Sequence, residues 1–102
     1  MRSDIYRYVF TDTVPIEDAE ATLHLAILAA ESLFGESRVR MDVAYSIDES
    51  ARVCVIDATN EVGRSVCRIF TGYLIREFGQ DRFTVRAVTT PGAPSSVKAS
   101  VA

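Results

Sequence analysis

This chain of 102 residues has two cysteines, one histidine and a single lysine, and each scarcity closes off a class of chemistry. Cys54 and Cys67 lack CxxC spacing and have no second pair to complete a zinc site or an iron–sulfur cluster. They read as two buried thiols behaving as small apolar groups, neither metal-bound nor disulfide-bonded. His24 has no second histidine with which to build a nucleophile relay. Glu20, one helical turn earlier, and Glu17, a further turn back, leave it short of a supported ligand set, so it reads as a solvated histidine on an acidic helix. No GxxxxGK[ST] phosphate loop occurs. The chain is expected to carry no catalytic residues, no metal and no cofactor.

Long hydrophobic runs are also missing. The longest, residues 25–30, falls far short of the roughly 20 residues of a membrane span, and no basic-then-apolar leader opens the chain. A soluble cytoplasmic protein with no membrane partner is expected.

The net charge of −3 is unevenly spread. Asp12, Glu17, Asp18, Glu20, Glu31 and Glu36 fall between residues 9 and 37 with no Lys or Arg among them, and of the chain's 11 Lys and Arg residues all but Lys98 are arginine. Tyr6 and Tyr8 could stack on bases. However, the Lys/Arg-Gly-aromatic run of an RNA-binding sheet is replaced by Arg52-Val53-Cys54-Val55-Ile56-Asp57, and the acidic balance argues against nucleic acid.

What the sequence does have is internal repetition. Phe34-Gly35-Glu36-Ser37-Arg38-Val39 and Phe78-Gly79-Gln80-Asp81-Arg82-Phe83 each close a helical pattern on a bulky apolar residue and place glycine where the chain needs positive φ. Two similar β-α-β halves follow from this. Residues 5–10, rich in aromatic and β-branched side chains, predict a strand, with Tyr6, Tyr8 and Phe10 turned inward. Pro15 and the acids after it open a helix to residue 34, with Ile16, Ala19, Leu23, Ile27, Ala30 and Phe34 as its buried stripe.

Alternation from Val39 to Ile47 predicts a strand over 38–47, turned at 48–50 into another over 51–58. If Ile47 faces Ala51, then Tyr45 faces Val53, Val43 faces Val55, and the odd-numbered residues share the apolar face. Thr59 and Asn60 offer caps for a helix over 60–78, in which Gly63 and Gly72 suggest close packing. A last strand is expected over 82–88.

The order β-α-β-β-α-β is the ferredoxin-like arrangement, an α+β fold with two helices on one face of a four-stranded antiparallel sheet. Residues 1–89 form the single domain, and 90–102, without apolar period, form a flexible tail. This is a resemblance of fold and implies no activity.

Two places invite function. Asp57, Asn60 and Arg64 surround the start of the second helix, where backbone N–H groups suit an anion, although the first two serve equally as turn and cap residues. On the parity above, the outer sheet face carries Arg40, Asp42, Arg52, Cys54, Ile56, Arg86 and Val88. Apolar residues among arginines there indicate a covered surface. The leading expectation is a non-enzymatic interaction module forming a homodimer through that face. The alternatives are a small enzyme or ligand sensor with its anion site at Asp57, Asn60 and Arg64, and a nucleic-acid binder using the arginines of the sheet.

Overall fold

A computed structural model describes residues 3–90, so all but the first residue of the tail expected over 90–102 lies outside the described residues. The chain forms β1 (Ser3–Phe10), α1 (Ile16–Phe34), α2 (Glu36–Asp42), β2 (Tyr45–Asp48), β3 (Val53–Asp57), α3 (Glu61–Glu77), a 3-10 turn (Gln80–Arg82) and β4 (Phe83–Thr90). The four strands make one antiparallel sheet in the order β2-β3-β1-β4. The fold is α+β as expected, with three α-helices where two were expected.

Tyr8 organises the core from the middle of the sheet. It is fully buried, with its ring 4.9 Å from Phe70, and its hydroxyl lies 3.2 Å from the Cys67 carbonyl, to which it donates, and 2.8 Å from Thr71 Oγ1. Partnering the polar tip is what makes burial of so large a ring favourable. Leu23, Ala26 and Ala30 of α1 and Val66, Phe70 and Leu74 of α3 close over the same layer. The expected inward parity of the first strand holds: Tyr8 and Phe10 are buried and Tyr6 packs against the core.

The two Phe-Gly junctions share one geometry, with φ of 90° at Gly35 and 102° at Gly79, a region that favours glycine. Both then continue as helix rather than strand. After Gly79 this is only the 3-10 turn; after Gly35 it is the whole of α2, which corrects the strand expected from residue 38. Within α2, Val39 faces the core and is buried while Met41 is 84% exposed, so the apolar alternation there is not a sheet face. The helix is held by pairs spaced four apart, Glu36 with Arg40 at 2.7 Å and Arg38 with Asp42 at 3.6 Å.

The β2–β3 hairpin also differs from expectation. Its loop is residues 49–52, Asp48 Oδ1 accepts from Ala51 N–H and Ser50 Oγ at 3.0 Å each, and Arg52 has φ of 59°. Asp48 thereby faces Val53, Ile47 faces Cys54 and Tyr45 faces Ile56. Relative to the expected register the pairing is shifted by an odd number of residues, which exchanges the two faces of β3.

Candidate functional site

The sheet face turned away from the helices has no covering layer among the described residues. Its residues follow from the register, since partners across an antiparallel pair point the same way. Val55, Arg7 and Arg86 form one row with Ser46; Val53, Val9 and Thr84 form the next with Asp48; Asp57, Ile5 and Val88 form the third. Aliphatic residues surround Arg7 at the centre: Ile5, Val9 and Val55 are half-buried, and Val53 is only 6% exposed. A sheet face built for water would alternate to polar residues here.

The charges on this face are sorted by strand. Arg7 and Arg86 stand on β1 and β4, whereas Asp48 and Asp57 stand on β2 and β3. Arg7 Nε is buried and has no hydrogen-bond partner among the described residues. Beside it a cavity of about 160 Å³ opens against Ser46, Asp48, Ala51, Val53 and Val55. Hydrogen bonds from Ala51 N–H and the Ser50 hydroxyl hold the Asp48 carboxyl below the usual carboxylate range, so it stays ionised at neutral pH. One oxygen of Asp57 accepts from Thr59 N–H at 2.8 Å.

Of the residues expected on the outer face, Arg86 and Val88 are there. Cys54 and Ile56 are not: they point toward the helices and are 2% and 0% exposed, because the longer hairpin loop turns the even-numbered side of β3 inward. Arg40 and Asp42 belong to α2 and lie off the sheet altogether. Arg52 sits in the hairpin loop, where its guanidinium donates to the Thr11 carbonyl at 2.8 Å and to the Val14 carbonyl, tying the loop before α1 to the hairpin. Arg7, with Ile5 and Val9 beside it, follows from the inward parity expected of the first strand; sequence reasoning missed Val53 and Val55, which the correct hairpin loop length would have found.

At the start of α3 the structure brings Asp57, Asn60 and Arg64 together in local bonds. Asn60 Oδ1 accepts from Gly63 N–H at 2.7 Å, its Nδ2 donates to the Asp42 carbonyl at 2.9 Å, and Arg64 donates to the Thr59 carbonyl at 2.9 Å. A groove of about 320 Å³ flanks α3 between Arg64, Arg68, Tyr6, Cys67 and Thr71. A wider one, about 600 Å³, lies between α1, α2 and the edge of β2, where Leu28 and Tyr45 are exposed and Arg40 forms part of the wall. His24 lies there 3.2 Å from the Tyr45 hydroxyl. Among the described residues no group of three His, Cys, Asp or Glu side chains could hold a metal, and no helix is long and apolar enough to cross a membrane.

Burial pushes the Cys54 thiol up to about 12 and the Cys67 thiol up to about 11, each as a free cysteine. Thiols so protonated are poor nucleophiles. No protein-family model matches the chain, and no curated protein is similar to it.

Proposed function

We propose that the protein is a non-enzymatic interaction module that pairs with a second copy of itself through the open sheet face. The observation that carries this reading is the aliphatic set Ile5, Val9 and Val55 on that face, half-buried in one copy and turned away from the helix layer. Buried between two sheets, such a set gains on the order of 25 cal/mol per Å² of apolar area removed from water. Both charge signs are present on the same surface, so it is complementary to its own copy. The strand order, with α1 and α3 as crossover helices, supports reading the fold as ferredoxin-like with α2 inserted between α1 and β2.

Val9→Glu tests the reading. Val9 lies between Val53 and Thr84, so the new carboxylate meets no like charge directly beside it on the neighbouring strands. A folded monomer by light scattering, with circular dichroism unchanged, is expected. Association equal to the parent's would move the contact to another surface, such as the groove between α1 and β2.

A second reading, an anion-binding sensor, is favoured by the groove beside α3, whose wall includes Arg64, Arg68 and the Tyr6 side chain and no carboxylate. Titration with inorganic phosphate, read from the chemical shifts of Arg68 and Thr71, tests it. Nucleic-acid binding draws no support from the sheet face, where Asp48 and Asp57 offset Arg7 and Arg86.

A further inference from the structure

The sorting of charge by strand constrains how two copies can meet, and the argument that follows rests on the self-association reading. Two sheets packed face to face keep their strands within about 30° of one another in the commonest arrangement. A two-fold axis between them then runs either along the strands or across them. Across the strands, each strand lies over its own equivalent: β4 meets β4 and β1 meets β1, which sets Arg86 toward Arg86 and Arg7 toward Arg7. Along the strands, between β1 and β3, the order reverses: β4 of one copy lies over β2 of the other, and β1 over β3. We infer that the dimer uses the axis along the strands, seating Arg86 of each copy over Ser46 and Asp48 of the other and Arg7 over Val55 beside Asp57.

Three features of the face fit this arrangement. The cavity lined by Ser46, Asp48 and Arg7 lies where the opposing Arg86 arrives, and at about 160 Å³ it has room for a side chain reaching to the Asp48 end. Asp48 spends Oδ1 on the hairpin loop, which leaves Oδ2 for a guanidinium. Arg7, which forms no ion pair among the described residues, brings its guanidinium within side-chain reach of Asp57 of the other copy. The axis also passes between the aliphatic residues of β1 and β3, so Val9 of one copy meets Val53 of the other, with Val55 under the Arg7 stem.

The test uses two exposed strand positions, Ser46 and Arg86, that make no side-chain hydrogen bond or ion pair among the described residues. The dissociation constants of the parent, Ser46→Lys, Arg86→Glu and the double variant are measured by sedimentation equilibrium, with circular dichroism as the folding control. In the inferred arrangement each single change weakens association about tenfold or more, as expected for close interfacial charges. The double variant returns to within about threefold of the parent, because the introduced carboxylate of one copy then faces the introduced ammonium of the other. A double variant weaker than either single change places like strands over like and overturns the inference. Single changes without effect overturn it too, since the charged corners then do not meet. Both results leave self-association intact, whereas a parent that is monomeric at every concentration overturns the reading beneath.

Discussion

Arg7 and Arg86 stand directly opposite one another across the β1–β4 pair, two like charges side by side on the uncovered face. Neither forms an ion pair with any carboxylate among the described residues. Like charges in that position oppose pairing of their own strands by a few tenths of a kcal/mol. Within one chain the arrangement is therefore a small cost.

Arg86→Thr separates the intrachain role from the interchain one. It removes the repulsion and supplies a β-branched strand residue, so in the Val9→Glu background the thermal midpoint should rise slightly, by about 0.2–1 kcal/mol of stability. In the otherwise unaltered chain it should weaken association. Differential scanning calorimetry and sedimentation read the two effects apart.

Neighbouring residues of β3 should respond oppositely to charge. Ile56→Arg places a guanidinium in the core beside Tyr6 and Tyr45, where an unpaired buried charge costs several kcal/mol, about as much as a small domain's whole stability. Loss of the folded circular dichroism spectrum is expected. Val55→Arg, on the open face, should remain folded and lose self-association.

That contrast also marks what the sequence could and could not convey. The helix starting after Pro15, the Asn60 cap, the inward aromatics of β1 and the positive φ of both glycines were legible because each has a local cause. The parity of β3 was not. Val53, Cys54, Val55 and Ile56 are all apolar, so no alternation chooses a face, and the choice falls to a hairpin loop whose length depends on Arg52 adopting left-handed φ. The α2 segment carried two competing periods. Val39, Met41 and Val43 alternate as a strand would, while Glu36/Arg40 and Arg38/Asp42 are spaced as a helix requires. The second period won because Asn60 and Arg38 dock that helix against the start of α3, with Arg38 also 3.0 Å from Glu61. Such contacts are visible only once α3 is in place.

Gly63 and Gly72, alike in a helix pattern, should behave differently. A Cβ at Gly63 would lie 2.0 Å from the Asp57 carbonyl oxygen, so the start of α3 packs onto the end of β3 only because glycine is there. Gly63→Ala should destabilise by about 1–3 kcal/mol despite its better helix propensity. At Gly72 nothing lies within 4 Å of the added carbon, and Gly72→Ala should stabilise by about 0.5–1 kcal/mol. Urea denaturation of the two variants checks both signs.

Stability should decline at alkaline pH. The folded state holds the Cys54 and Cys67 thiols at about 12 and about 11, against an ordinary 9.0. Both are groups raised on folding. Their contribution is complete below pH 9 and is lost as pH rises through the folded values, at up to about 1.4 kcal/mol per pH unit for each thiol. Between pH 9 and 11 the urea midpoint should fall steadily. Dithionitrobenzoate at pH 8 should find neither thiol in the native protein and both after unfolding.

The most direct measurement is the molar mass of the unaltered protein by light scattering across a dilution series from millimolar to nanomolar concentration. Twice the 11.2 kDa chain mass at high concentration, falling to the chain mass on dilution, is the predicted result. A mass of one chain throughout would contradict self-association through the sheet face.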